Sequence, residues 1–108
     1  MVILTVFRSR LRPEAQAEYG ELAPQMSKLA RSMPGYKSHK VFVAEDGESF
    51  TLVEFEYDAA QFDWASHPEH RAAQKRGRSA FYSEYSLQMC EVKRKSQFFA
   101  SDEELWQS

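Results

Sequence analysis

The chain of 108 residues has a single cysteine, no asparagine and no apolar run longer than four residues. The single cysteine, Cys90, excludes an internal disulfide and is typical of a protein in the reducing cytoplasm, which is where we expect this chain. Without a long apolar run, the sequence predicts neither a membrane-spanning segment nor a signal peptide. We expect Cys90 to be a small buried side chain in a strand.

Neither sign of charge dominates, because 14 basic and 16 acidic side chains leave a net charge of −2. That balance gives no general attraction to nucleic acid or to anionic lipid. The basic clusters at 75–78 and 93–95 match no nucleic-acid-binding motif and are interpreted as solvated surface. The sequence also has no glycine-rich phosphate loop and no serine–histidine–acid signature. We therefore expect neither nucleic acid nor a membrane as a partner.

Strand patterns are the clearest positive feature of the sequence. Segments rich in β-branched and aromatic side chains predict four strands, at 2–9, 36–45, 49–57 and 82–94. Asp46-Gly47 lies between the second and third of them and predicts a hairpin turn.

Helical patterns fill the spaces between these strands. Apolar residues that recur every three or four positions predict an amphipathic helix over 12–33. Pro24 lies inside it, four residues after Gly20, which favours a kink over two separate helices. A short helix at 58–65 and a longer one at 66–81 complete the order β-α-β-β-α-β. This order predicts an α+β, ferredoxin-like fold with an antiparallel four-stranded sheet and two long helices on one face.

Both faces of the predicted strands are apolar. In the first strand, one face carries Val2, Leu4 and Val6, and the other carries Ile3, Thr5 and Phe7. Since the helices cover only one face, we expect a second copy of the sheet to cover the other, which makes the protein a homodimer. Residues 1–93 form the predicted domain and 94–108 a tail. Phe98, Phe99 and Trp106 in the tail either clasp the partner subunit or belong to a free chain end.

Two of the three histidines lie in the stretch "WASHPEH", where the second long helix begins. Ser66 is predicted as the N-cap and Glu69 as its capping-box partner, with Pro68 in the first turn. An inward-facing helical stripe then consists of His67, His70, Gln74, Gly77 and Phe81. Residues between these positions, including Arg71, Lys75 and Arg78, are expected to face mostly water. Trp64 and the polar end of the stripe predict a pocket lined by indole and imidazole.

Three chemistries compete for such a pocket: zinc binding, haem ligation and general base catalysis. Zinc requires three or four ligands, and His67, His70 and the strand residue His39 have no cysteine or acidic cluster to complete a set. His70 could ligate haem as an axial ligand, act as a general base, or simply be packed and hydrogen-bonded. From these considerations we expect no metal and no cofactor.

The tryptophan followed by "HPEH", then "FYSEY" and the closing strand "LQMCEV", resembles the antibiotic biosynthesis monooxygenase family over residues 2–93. The resemblance implies a dimeric α/β barrel in which two sheets pack together. Some members of the family oxidise electron-rich polycyclic phenols with O2 and use neither metal nor flavin. Others degrade haem, handle quinols or signalling molecules, or have no known activity.

Individual residues carry the resemblance only in part. Trp64 matches a tryptophan that lines the family pocket, and His70 matches a histidine early in the last long helix. The oxygenases and the haem-degrading members rely on a pocket asparagine, a residue type that this chain lacks. Gln74 occupies the position of the haem ligand. These departures argue strongly against haem degradation and moderately against phenol oxidation.

The resemblance implies a monooxygenase that acts on a phenol- or quinol-type substrate. In this reading His70 accepts the substrate proton and Trp64 stacks on the ring. Arg71 or Arg8 stabilises the anion, while His67 and Gln74 contact the substrate. The alternative is a non-catalytic binding or structural dimer that keeps the pocket without the chemistry.

Overall fold

The computed structural model describes residues 1–100 and confirms the predicted α+β order. The strands are β1 (Ile3–Leu11), β2 (Tyr36–Val43), β3 (Ser49–Phe55) and β4 (Tyr82–Glu91). The helices are α1 (Gln16–Ser32) after a 3-10 turn at Pro13–Ala15, α2 (Asp58–Ser66) and α3 (Pro68–Arg76), which continues into one π-helical turn at Gly77–Phe81. Trp106, the distal aromatic residue of the expected clasp, lies outside the described residues.

The four strands form one antiparallel sheet in the order β2-β3-β1-β4, which confirms the ferredoxin-like arrangement. The predicted hairpin joins β2 to β3. Its turn is closed by backbone bonds between Ala44 and Glu48 (2.8 Å) and between Gly47 and Ala44 (2.9 Å). Gly47 has φ +89°, a left-handed conformation that glycine adopts without steric cost.

Helix α1 runs through Pro24 without interruption and ends at Ser32, so a single helix forms as predicted. Proline has no backbone N–H, so the carbonyl of Gly20 loses its helical partner at this point. Within residues 1–100, no helix is long and apolar enough to cross a bilayer.

The two faces of the sheet differ in how they are covered. Helices pack on the face that carries Ile3, Thr5, Val53 and Phe55, each of which is at most 4% exposed. The opposite face, termed here the open face, carries alternate residues of the same strands. Its apolar members are Leu4, Val6, Phe42, Phe50 and Leu52. Four of them are half-buried and Phe42 is 46% exposed, although no helix within residues 1–100 covers them.

The junction between α2 and α3 differs from the predicted capping box by one residue. Ser66 is the last residue of α2, and its hydroxyl donates to the carbonyl of Phe62 at 2.7 Å. His67 is the N-cap of α3, and its Nδ1 accepts the backbone N–H of Glu69 at 3.2 Å. The residue before a proline is disfavoured in the helical region, so Pro68 forces the break at His67.

Cys90 is exposed in the single chain, and the prediction that it is buried is wrong. The reason is its place on β4, an edge strand, where it lies opposite Leu4 on the open face.

Candidate functional site

A cavity of about 360 Å³ lies between the helices and the covered face of the sheet. Its size lies within the range of small-molecule sites. Most of the lining is apolar. The aromatic residues that line it are Phe7, Tyr19, Trp64, Phe81, Tyr82 and Tyr85, and the polar ones include Thr5, His39, Gln61, His70, Gln74 and Arg78. An aromatic wall with few polar groups suits a flat ligand that carries a small number of oxygen atoms.

His70 and Trp64 form the contact at the centre of this lining. Trp64 comes from the last turn of α2 and His70 from the first turn of α3, so the break at His67 sets their approach. Their ring centroids are 4.2 Å apart with an interplanar angle of 51°. Trp64 packs in turn on Phe55, with centroids 5.4 Å apart. The imidazole is thereby held against a rigid aromatic surface.

The imidazole of His70 is neutral at physiological pH. Burial lowers its pKa below 6.5; the Ala65 carbonyl opposes this shift, and the charge of His67 adds to it. Its Nδ1 lies 3.0 Å from Nε2 of Gln74. An amide nitrogen only donates, so Nδ1 is the acceptor and the ring proton lies on Nε2. His70 can bind one more proton, at Nδ1, once the amide of Gln74 turns its oxygen towards the ring.

Two buried polar atoms beside the cavity have no hydrogen-bond partner within residues 1–100. They are Oγ1 of Thr5 and Nε1 of Trp64, and both residues line the cavity. Buried polar groups in folded proteins are nearly always hydrogen-bonded, so these two atoms are suited to bind an ordered water or a ligand.

Tyrosines form a second aromatic cluster in the cavity lining. The ring of Tyr82 lies 5.3 Å from that of Phe7, 5.9 Å from that of Tyr19 and 5.8 Å from that of Tyr85, measured between centroids. Burial, together with the neighbouring Tyr19, raises the pKa of Tyr82 far above its usual value. Tyr82 therefore stays protonated and serves as a hydrogen-bond donor or an aromatic surface, not as a base.

The π-helical turn at the end of α3 brings Tyr82 close to the helix backbone. A Cβ on Gly77 would lie 2.7 Å from Cε2 of Tyr82, closer than atoms pack. We expect Gly77→Ala to displace the tyrosine ring and to lower the free energy of unfolding by about 1–3 kcal/mol, as overpacking does. Thermal unfolding measures this change.

Gly20→Ala is the matched control, because no atom lies within 4 Å of its Cβ position in α1. It should raise the free energy of unfolding by up to about 1 kcal/mol through helix propensity. An equal effect of both substitutions would show that the contact between Gly77 and Tyr82 is unimportant.

The cavity contains only part of the set predicted from sequence. Trp64, His70 and Gln74 line it, whereas His67, Arg71 and Arg8 do not. His67 is occupied as an N-cap, and Arg71 is exposed on α3. Arg8 has the same parity as Leu4 and Val6, so strand alternation places it on the open face, where it pairs with Glu48 at 2.9 Å.

Arg78 is the cation that lines the cavity, although the helical stripe predicts that it faces water. It lies in the π-helical turn, which has more residues per turn than the α-helix assumed in the prediction. Arg78 is exposed, so it lies where the cavity opens to solvent, and it has no salt-bridge partner within residues 1–100. No simple periodicity would have identified it.

His39 also lines the cavity, which it reaches from β2. With His70 it places two imidazoles on one ligand-sized space. Metal coordination has no further support there, because residues 1–100 contain no group of three or more histidine, cysteine, aspartate or glutamate side chains placed to hold an ion.

Comparisons with known proteins agree with this architecture. The sequence model described as "antibiotic biosynthesis monooxygenase" matches residues 1–76. Uncharacterized protein YqjZ of Bacillus subtilis is 32% identical over 93 residues, which cover 86% of this chain and 82% of that protein.

Among solved structures, Rv0793 from Mycobacterium tuberculosis superposes with a TM-score of 0.79 at 14% identity, covering 90% of this chain and 100% of that one. SnoaB, a cofactor-independent oxygenase from Streptomyces nogalater, superposes with a TM-score of 0.73 at 12% identity, covering 87% of this chain and 95% of that one. At such identities the structural likenesses establish the fold alone.

Proposed function

Because the chain belongs to the antibiotic biosynthesis monooxygenase family, we propose that it is a cofactor-independent monooxygenase acting on a small electron-rich aromatic compound of the phenol or quinol type. The observation that carries the proposal is the neutral, half-buried imidazole of His70 packed against Trp64 inside an aromatic cavity. A neutral imidazole is the form that accepts a proton, and an indole face suits a flat ring. The description of SnoaB as a cofactor-independent oxygenase supports the same chemistry.

The reaction begins with a proton transfer and then consumes O2. In a hydroxyanthrone the reacting carbon is a methylene group between two aromatic rings. The Gln74 amide first moves away from Nδ1 of His70, which breaks their hydrogen bond and frees the lone pair. His70 then accepts one of the methylene protons at Nδ1, and the Gln74 oxygen can accept from the new N–H. The carbanion reduces O2 by transferring an electron, and the radical pair joins to give a peroxide anion on that carbon. Protonated His70 returns its proton to form the hydroperoxide. Loss of water yields the ketone, so that one methylene group and one O2 become one carbonyl group and one water.

The geometry of the cavity supports the following binding roles. Trp64 stacks on the substrate ring, and Gln74 stabilises both protonation states of His70. Arg78, the cation at the opening, takes the anion-stabilising role for which the sequence suggested Arg71 or Arg8. His67 acts indirectly, because its capping bond to Glu69 fixes the first turn of α3 from which His70 projects.

We also propose that the protein works as a homodimer in which two open faces pack together, as the family barrel implies. Leu4, Val6, Phe50 and Leu52 form a contiguous apolar surface on the two central strands, and no segment of residues 1–100 covers it. The tail beginning at residue 94 is the proposed clasp, since Phe98 and Phe99 are 69% and 56% exposed in the single chain.

A non-catalytic small-molecule binder is the second candidate. The absence of asparagine favours it, because the resemblance implies that the oxygenase members rely on that residue type. A binder would use the same cavity but would transfer no electrons to O2.

Oxygen consumption separates these two functions. Purified protein treated with a metal chelator is mixed with each of several hydroxyanthrones, in air and under argon, beside a protein-free control. We expect uptake of one O2 per ketone formed in air, incorporation of one labelled oxygen atom from ¹⁸O2, and no product under argon. Tight binding of these compounds without uptake above the control would establish the binder instead.

A further inference from the structure

His39 lines the cavity from strand β2, whereas His70 lines it from helix α3. In the register of the sheet, His39 on β2 faces Val53 on β3, and Val53 faces Thr5 on β1. The three side chains therefore form one row across the cavity floor. Because adjacent strands are about 4.8 Å apart, His39 and Thr5 are separated by roughly 10 Å. A ligand ring that rests on Val53 can reach the imidazole on one side and the unpaired hydroxyl on the other.

Tyr36 fixes the orientation of the His39 ring. Its hydroxyl oxygen lies 2.8 Å from Nδ1, and the two ring centroids are 5.9 Å apart. Nε2 of His39 has no hydrogen-bond partner within residues 1–100. This differs from His70, whose Nδ1 is already engaged by Gln74. When the Tyr36 oxygen accepts the Nδ1 proton, the lone pair of the neutral ring lies on Nε2.

His39 is also neutral at physiological pH. Burial is the main cause of its lowered pKa, and the positive charge of Arg31 on α1 adds to it. Tyr36 is the other ionisable group in direct contact with the ring. The ring is therefore in the form that accepts a proton.

We propose that His39 is the second proton-transfer residue of the cavity and that it converts the hydroperoxide to the ketone. The role rests on the proposed function, because that reaction forms a hydroperoxide whose carbon keeps one hydrogen and then requires a base at the same carbon. Nε2 of His39 removes the remaining C–H proton, the C=O bond forms, and the O–O bond breaks. The departing hydroxide takes the proton back from His39, which gives water and regenerates the neutral imidazole.

Tyr36 is a positioning residue in this scheme. Its oxygen accepts from Nδ1–H, holds the lone pair on Nε2 and stabilises the ring while it carries the second proton. It does not need to touch the substrate.

The test is a single turnover followed in two signals. Protein and a hydroxyanthrone are mixed under argon and then with oxygenated buffer, while O2 uptake and hydroperoxide are measured in quenched samples. In His39→Gln we expect O2 uptake near the wild-type rate and breakdown of the hydroperoxide slowed about 10²-fold, so that the peroxide accumulates. Tyr36→Phe removes a single oxygen atom. It should also accumulate peroxide, but less of it than His39→Gln. Lys75→Gln, the same replacement at an exposed residue of α3 that does not line the cavity, should behave like the wild type.

Each outcome bears on a different part of the proposal. Normal uptake in His39→Gln with prompt ketone formation overturns the role of His39 and leaves the monooxygenase intact. Failure of uptake in His39→Gln, with an unchanged Tm, would make His39 the base of the first step and would also overturn the assignment. No uptake by the wild type overturns the proposed function and this step with it.

Discussion

Replacing His70 with alanine is expected to slow oxygen consumption about 10²- to 10⁴-fold, the usual contribution of a general base. The physical reason is that His70 is the basic side chain in contact with Trp64, on which the substrate ring is proposed to stack. Gln74 has no basic nitrogen, and Tyr82 keeps its proton because burial raises its pKa. The measurement is the initial rate of O2 uptake with a hydroxyanthrone, corrected for the protein-free rate.

His67→Ala is the matched control for this change. His67 lies three residues earlier, is also a histidine, and does not line the cavity. Its loss removes the bond to the Glu69 N–H, so the expected effect is on stability, by about 1 kcal/mol, as for other N-caps. The two variants should therefore differ in their main effect: His70→Ala should lower turnover, and His67→Ala should lower Tm.

The pH dependence of stability and of turnover gives a second test of His70, made on the wild type and on His70→Ala. The pKa of His70 in the folded state is below the unfolded value of 6.5. As the pH falls below 6.5, His70 becomes protonated in the unfolded chain but stays neutral in the folded chain. The free energy of unfolding therefore decreases until the pH reaches the lower pKa of the folded state. His70→Ala should flatten this decrease, while wild-type turnover should lose activity on the acid side only below 6.5.

A lower Tm in His70→Ala with unchanged turnover would make the residue purely structural. If neither quantity changed, the contact between His70 and Trp64 would carry no weight in the protein, and both the site and its mechanism would be wrong.

Much of this architecture could be predicted from sequence because it follows from regular periodicities. Strand alternation separates Ile3 and Thr5 from Leu4 and Val6, and the structure divides them between the same two faces. The helical stripe likewise places Gly77 and Phe81 inward, where both are buried.

The rest of the site depends on local departures from those periodicities. The π-helical turn brings Arg78 to the cavity, and a 3.6-residue repeat cannot anticipate it. The break at His67 is set by Pro68 and displaces the cap from Ser66. His39 lies in β2, whose register is fixed by pairing with β3. Its position in the cavity lining therefore depends on contacts between distant parts of the sequence, which a local pattern cannot predict.

Leu52→Glu is expected to convert the dimer to monomer. Leu52 is on β3, one of the two central strands, and it faces Val6 in the middle of the open face. In the proposed dimer the new carboxylate would be buried without a partner, which costs about 3–5 kcal/mol and corresponds to at least about 10²-fold in the dissociation constant. A two-fold interface contains the substituted residue twice, so the effect is felt by both subunits.

Phe62→Glu provides the comparison, because it makes the same kind of change at a residue of α2 that is 63% exposed on the helical side of the sheet. Size-exclusion chromatography with light scattering at micromolar concentration should show a dimer for the wild type and for Phe62→Glu. Leu52→Glu should elute at half that mass or aggregate through its uncovered apolar neighbours. A wild type that is a stable monomer would overturn the proposed assembly. A Leu52→Glu variant that remains dimeric would place the interface on another surface, such as the edge of β4, where Leu87 and Met89 are 44% and 57% exposed.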